Sequence, residues 1–359
     1  MSVFIILLTF ESWFCVRVSV YVPEETDWID KGIVLEAGPV GSWDVRLHGM
    51  ITPCSVVKKH GIYFLYYLGA DGDRGPPHND GGPRHRALGV ATSIDGIHFT
   101  KYDGNPIITY RPNNNEEEGI FSAGATLDEN GNVVLYAGCM DAGPDPSSTN
   151  VDGDVRLYIS SDGFRFDDCG DVLSHKNSSV WGYGDEIFPV GTFHANGQWH
   201  VYYVAKGYNN IMWDIGLAWG SDKSSLTQSE EVLSASSIIS SCEPILIEPE
   251  KVALFFNYEF VKEIEVRTVS LDSPSNVSQA LERYTINGRD GCTIFLDRET
   301  NTWFLYYLDS TSNSIKVKTA LAKIRVYMKD IATIAKFFGQ NIPPAPSGAH
   351  GALGDQLCE

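Results

Sequence analysis

Apolar positions along the chain gather in short runs rather than helical stripes. The stretch "ITPCSVVKKHGIYFLYYLGADG" from Ile51 is an apolar strand, a polar turn containing glycine, and a second strand heavy in aromatics. The same order returns in "AGATLDENGNVVLYAGCMDAG" from Ala123, "IFPVGTFHANGQWHVYYVAKG" from Ile187, "CEPILIEPEKVALFFNYE" from Cys242 and "GCTIFLDRETNTWFLYYLD" from Gly291. Runs of β-branched and aromatic residues bounded by Gly, Asn and Asp read as strands. Self-similarity of this kind is the signature of a repeat architecture. A third strand follows the aromatic one: "LGVATSIDGIHF" from Leu88 matches "VRLYISSDGFRF" from Val155, and "IGLAWGSDKSSL" from Ile215 is a looser copy. In Ser-x-Asp-Gly-x-x-Phe the Asp and Gly make a tight turn and the aromatic begins an outer strand. Fourth strands are expected in "NPIITY" from Asn105, "GDVLSH" from Gly170 and "EEVLSA" from Glu230.

Four antiparallel strands per copy, in five copies, predict an all-β fold: a five-bladed β-propeller. Stacked blades need apolar residues on both faces, which the near-continuous apolar runs supply. A β-sandwich also uses short alternating strands, but it does not call for five copies of one order. The fifth copy lacks an outer strand after "SIKVKTA" from Ser314, and "DWIDKGIVLEAG" from Asp27 has the character of one. The N-terminal strand is therefore expected to close the ring. These readings divide the chain into an N-terminal segment 1–26, a propeller 27–322 and a tail 323–359. Within the tail, "AKIRVYMKDIATIAKFFGQNIPP" from Ala322 reads as a short helix and a Pro-rich end.

Composition narrows the ligand. With 43% hydrophobic and 20% charged residues the chain can bury a core. A formal net charge of −19 argues against nucleic acid and against an anionic membrane surface. It suits a neutral or cationic ligand, or serves only to keep the protein in solution. None of the seven cysteines forms a Cys-x-x-Cys pair, so no zinc site is expected. Cys54, Cys242 and Cys292 recur at similar places in apolar strands and read as small core residues. The apolar run 3–10 has signal-peptide character but no Lys or Arg before it, and it is too short to span a bilayer. Together with Asn-x-Ser triplets at Asn177 and Asn276 it points to an extracellular or secreted protein. Nothing in the sequence fixes an oligomeric state.

In a propeller the loops entering the innermost strands form a funnel where ligands bind. Trp43, Asp44, Arg46 and His48 precede the first inner strand, and Glu116, Glu117 and Glu118 the second. Trp181, Asp185 and Glu186 precede the third, Glu243 the fourth, and Arg289 and Asp290 the fifth. Aromatic rings stack on the apolar face of a sugar and charged groups bond its hydroxyls, so this set suits a carbohydrate. Glycosidic cleavage needs one protonated carboxyl for the leaving oxygen and a second to activate water or attack. Glu186, beside apolar Ile187 and Phe188, is the candidate acid, because a dry site raises a carboxyl pKa; a solvated strand end is the plainer reading. Asp185 is the alternative at that position. Asp44 is the candidate base with Trp43 as a stacking platform, or else a turn cap. Trp43, Arg46, His48, Trp181, Glu243, Arg289 and Asp290 are candidate substrate contacts, and Glu116 to Glu118 read as an exposed acidic loop. The segment "GADGDRGPPHNDGGPRHR" from Gly69 reads as a long pocket wall. Its Asp71, Asp73, His78 and Asp80 do not follow the calcium-loop pattern, so no metal or other cofactor is expected. Its Arg84, His85 and Arg86 could meet a carboxylate or sulfate, or lie on open surface.

The stretch "PCSVVKKHGIYFLYYLGADG … LGVATSIDGIHFTKYDGNPII" resembles the blade pattern of the five-bladed glycoside hydrolases, the arabinanase, levansucrase and invertase superfamily that includes family 43. The resemblance spans roughly Asp27 to Ala322. It implies an Asp on blade one, an Asp on blade two and a Glu on blade three, and Glu186 is similar in placement to the last. Thr52 stands before Pro53 where the first Asp is expected, and Ser122 and Ala123 occupy the second place, so Asp44 would have to substitute. The resemblance implies a glycoside hydrolase acting on an oligo- or polysaccharide. The alternatives are a carbohydrate-binding propeller without catalysis, and a glycoside phosphorylase holding phosphate with Arg46, His48 and Arg289.

Overall fold

Five antiparallel groups of four strands make up most of the structure, a computed structural model that describes residues 16–39, 41–45, 51–70, 85–113, 118–141, 152–176, 184–207, 213–233, 239–258, 262–285, 288–309, 311–328 and 357–358. Unit one runs Ile51–Lys59, Ile62–Gly69, Ala87–Ser93 and Thr100–Lys101. Unit two runs Gly119–Leu127, Val133–Asp141, Asp152–Ser160 and Asp167–Leu173. Unit three runs Gly184–Ala195, Gln198–Gly207, Trp213–Asp222 and Ser225–Leu233. Unit four runs Ile239–Glu248, Lys251–Tyr258, Glu263–Ser270 and Glu282–Thr285. Unit five has Gly288–Asp297, Thr302–Asp309 and Ser314–Leu321, and its outer strand is the N-terminal Ile29–Glu36, paired antiparallel with Ser314–Leu321. Units two and three are joined into one eight-stranded sheet by a single parallel pairing, Glu186 with Gly153.

Local sequence explains the hairpins. His60-Gly61 and Asn196-Gly197 link first to second strands with positive φ at both residues (51° and 78°, 51° and 70°), the geometry that matches strand twist. The Ser-x-Asp-Gly turns close as expected: Ser93 Oγ accepts from Gly96 N, and Asp95 Oδ1 accepts from the amides of Ile97 and His98. Ser160 and Asp162 do the same in unit two.

These turns also join the units. Tyr66 in the second strand of unit one donates its hydroxyl to Gly163 O in the turn of unit two, at 3.0 Å. Tyr136 donates to Lys223 O of unit three (2.8 Å), Tyr202 to Pro274 O of unit four (3.0 Å), and Tyr306 of unit five to Gly96 O of unit one (2.8 Å). All four tyrosines hold one register, opposite Ser55, Gly124, Gly191 and Thr293 of their own first strands. Each such bond contributes about 1 kcal/mol net. Unit four carries Phe255 at this place, and there Tyr284 of the outer strand donates instead to Pro23 O.

Apolar burial follows the same seams. One cluster, with Tyr66, Leu88, Leu135 and Tyr158, lies between units one and two, and further clusters lie between two and three, three and four, four and five, and five and one. The first strands are neighbours in the same cyclic order, and Gly288–Asp297 of unit five lies against Ile51–Lys59 of unit one.

Two expectations need correction. The outer strand of unit one is Thr100–Lys101, not the stretch from Asn105; there Ile108 makes one isolated bridge to Leu88, and the Asn105 side chain bonds both Val90 N and Val90 O in place of a backbone ladder. The helix expected from Ala322 does not start there either, because Ile324–Met328 is a strand paired with Val16–Val20. Its Ile-Arg-Val-Tyr-Met sequence alternates with period two, which is strand patterning. Residues 329–344, the rest of that segment, lie outside the described residues. Among the described residues no helix is long and apolar enough to cross a membrane.

Candidate functional site

Thr52 and Ser122, which stand where the resemblance would place two aspartates, occupy equivalent register in units one and two, opposite Leu68 and Gly138. Their hydroxyl oxygens are both buried with no hydrogen-bond partner among the described residues. A buried hydroxyl left unsatisfied costs roughly 1–3 kcal/mol, so these two positions work against the stability of the fold. Thr52 is pressed against unit five, where a Cβ on Gly291 would come within 2.2 Å of Thr52 Cγ2.

Glu186 opens the inner strand of unit three, half-buried, two residues before Phe188. Phe188 stacks on Phe121 of unit two, with centroids 5.3 Å apart and planes 12° apart. Phe121 in turn carries the Arg86 guanidinium 3.8 Å from its centroid. Arg86 also accepts a backbone bond from Ile120 N at 3.1 Å. A row Arg86–Phe121–Phe188 therefore crosses from unit one to the strand of Glu186.

Asp44 is 3% exposed. Lys101 Nζ lies 2.6 Å from its carboxylate, Tyr67 Oη donates to it at 3.4 Å, and its backbone carbonyl accepts from Gly38 N at 2.8 Å. Beside it the Trp43 indole lies against two glycines: a Cβ on Gly69 would sit 2.4 Å from Trp43 Cζ3, and one on Gly89 would sit 2.7 Å from Cη2. Trp43 also meets Tyr67 with centroids 5.6 Å apart.

Glu243 pairs with Phe255, in the same register as Ser55, Gly124, Gly191 and Thr293 of the other units. It is the one long side chain in a set of small residues. Burial pushes its carboxyl up to about 8, opposed in part by Thr293, whose hydroxyl donates at 2.6 Å. The thiols of Cys54, Cys242 and Cys292 surround this level, and each is pushed up by burial, with the Glu243 charge adding to the effect. Glu186 is not brought beside Glu243. Gly191, the register equivalent of Glu243 in unit three, lies five residues further along the strand than Glu186, roughly 16 Å at strand rise.

Glu118 was expected on an exposed loop, but it is 2% exposed and accepts bonds from Asn113 N and Nδ2 at 3.1 and 2.9 Å. Asp185, Arg289 and Asp290 stand at the starts of the inner strands of units three and five, with side chains outside the described residues. Arg46, His48, Trp181, Glu116, Glu117 and the loop 71–84 lie outside them altogether.

No family model matches the sequence. No curated protein matches it either. Solved structures do. A family 117 glycoside hydrolase from the marine bacterium Zobellia galactanivorans is similar at 15% identity and a TM-score of 0.59, over 83% of this chain and 91% of that one. The β-1,2-mannobiose phosphorylase of Listeria innocua is similar at 13% identity and 0.55, over 89% and 98%. A third structure comes from family 130, mannoside phosphorylases that include hydrolases of β-1,2-mannosidic linkages in Candida mannan; it matches at 14% identity and 0.55, over 84% and 96%. At such identities the likeness is one of fold: this chain is built like glycoside hydrolases and mannoside phosphorylases.

Proposed function

We propose that the protein is a five-bladed propeller that cleaves glycosidic bonds, with hydrolysis as the first reading. The cyclic order of the five first strands and the Tyr306 bond from unit five to unit one support the closed ring. The observation that carries the catalytic reading is Glu186 at the mouth of an inner strand, beside the apolar Phe188–Phe121 stack, on a fold shared with carbohydrate-active enzymes. Asp44 already carries Lys101, so we read it as holding Trp43 rather than as the base. Asp185 is the alternative acid, and Asp290 of unit five stays a candidate contact for the substrate.

Phosphorolysis is the second reading, favoured by the fold shared with mannoside phosphorylases. The test is sugar release from a panel of plant, algal and fungal glycans, with and without phosphate, by wild type and Glu186→Gln. Release independent of phosphate, reduced at least about a hundredfold in the variant, is the expected result. Release that requires phosphate establishes the second reading, and unchanged turnover in Glu186→Gln removes Glu186 from the mechanism.

A further inference from the structure

Glu186 stands where two units meet. Its backbone makes the single parallel pairing, with Gly153, that joins unit three to unit two. On its own side, the ladder to Gln198–Gly207 slips register between Gly184 and Glu186. Across the seam the packing is shaped around one ring, Phe188, which is 3% exposed. A Cβ on Gly138 would lie 2.5 Å from Phe188 Cδ1, and one on Gly153 would lie 2.8 Å from its Cε1 and 3.3 Å from Glu186 Cα. Phe121 stacks on the same ring. The first three strands of unit two thus each give a residue to the seat of one side chain from unit three. Neither glycine adopts a positive φ, so the missing side chain supplies room rather than backbone freedom.

The register shows the fit to be reciprocal. At the level of Phe188, the first strands of units one, two and four carry the smaller Thr52, Ser122 and Ser241. At the level of Gly138, the second strands of the other units carry Leu68, Val204, Asn257 and Leu308. The large ring of the first column therefore meets the one glycine of the second, across the seam that carries Glu186. A ring in a close-packed seat has no room to slide, and Phe188 is two residues from Glu186 on one strand. We propose that Phe188, seated on Gly138 and Gly153, is the positioning residue of Glu186, so that unit two sets where the acid stands. This assignment rests on the reading of Glu186 as the acid. A catalytic group has to be held to within about 0.5 Å, and a misplacement of roughly 1 Å can cost on the order of a hundredfold in rate.

The test uses Gly153→Ala, Gly138→Ala and Gly124→Ala, the first two also combined with Phe188→Leu. Gly124→Ala is the control, because its Cβ crowds unit three at Thr192, lower in the same seam. Turnover is read on the oligosaccharide that wild type cleaves and on the 2,4-dinitrophenyl glycoside of the same sugar, whose leaving group departs without a proton. Gly153→Ala is expected to lower kcat on the oligosaccharide about tenfold or more, with KM within about twofold, and to lower it less than about threefold on the dinitrophenyl glycoside. Gly124→Ala should change neither by more than about twofold. Phe188→Leu removes the Cε1 and Cζ atoms that the Cβ of Gly153→Ala meets but keeps carbons at the β and δ positions that the Cβ of Gly138→Ala meets. It should therefore raise the turnover of Gly153→Ala about threefold or more and leave Gly138→Ala unrescued. Where Gly153→Ala does not fold, Phe188→Leu alone carries the same unequal loss, about threefold on the oligosaccharide and none on the dinitrophenyl glycoside. A carbon-13 titration of labelled glutamate, assigned against Glu186→Gln, reads the carboxyl without turnover. Its midpoint should move by roughly half a pH unit or more in Gly153→Ala or Phe188→Leu and stay in place in Gly124→Ala. Equal loss on both substrates, a loss no larger than in Gly124→Ala, absent rescue, or an unmoved midpoint would each reduce Phe188 to seam packing. Unchanged turnover in Glu186→Gln, or no cleavage of any glycan, removes the acid reading alone, and the titration then decides the positioning by itself.

Discussion

Asp44 in unit one and Glu243 in unit four are both carboxyl groups withdrawn from water, at 3% and 8% exposure, and they meet burial in opposite ways. Asp44 faces an ammonium, Lys101 Nζ at 2.6 Å, so a charged form is compensated where it lies. Glu243 faces a neutral hydroxyl and a wall of thiols, and burial pushes it up to about 8, so at neutral pH it holds its proton. Depth therefore does not distinguish an acid from a strut. The charge of the partner does, and that partner is 57 positions away for Asp44 and 50 for Glu243.

The contrast can be broken most forcefully at Glu243. Its ordinary value is 4.5, and the folded protein holds the proton up to about 8, so between these values only the unfolded chain has lost it. Stability should then fall as pH rises through that window and level off above it. Glu243→Gln removes this slope, and at pH 8 the variant should exceed wild type by on the order of 3–5 kcal/mol while matching it near pH 4. Denaturant unfolding at pH 4, 6 and 8 reads the difference; parallel pH profiles would refute the buried acid. At Asp44 the sign reverses. Asp44→Asn strips Lys101 of its counter-charge and should destabilise by about 2 kcal/mol, less than for a fully buried pair because the Lys101 side chain is 31% exposed and can turn to water. A midpoint identical to wild type would show the pair to be idle. The smallest effect is at Thr293→Val, expected to cost about 1 kcal/mol and to move the end of the Glu243 window to higher pH, since the lost hydroxyl bond favours the carboxylate. An unmoved window would mean that Thr293 does not tune the acid.

The repeat was legible because it is written locally. Aromatic second strands, Asp-Gly turns and the strand-like Ile29–Glu36 all announce themselves within a dozen residues, and their pairing followed. Site chemistry is not local. A Trp-Asp before an inner strand suggests a base, but Lys101 and Tyr67 approach from other strands and claim Asp44. Glu118 looked like part of an acidic loop because Asn113, which caps it, lies five residues back and carries no charge to mark it. Glu243 has a readable signal of its own: aligned by register, it is the only long side chain in a column with Ser55, Gly124, Gly191 and Thr293. The bed of Gly69 and Gly89 under Trp43 could be suspected only once the strands were superposed in space.

The pairing of Ile29–Glu36 with Ser314–Leu321, flanked by the Lys323–Asp27 bond across 296 positions, bears on how the molecule comes into being. As the chain emerges from a ribosome, the Ile29–Glu36 strand has no mate until nearly everything else has been made. Bringing those ends together carries a loop-closure cost on the order of 5 kcal/mol, recovered only when the whole seam zips at once. Units one to four can assemble from near neighbours, whereas the fifth waits for a contact of very long range, the kind that slows folding. Until that pairing forms, Ser314–Leu321 has an uncovered edge, the kind of surface on which a second unfinished chain can pair.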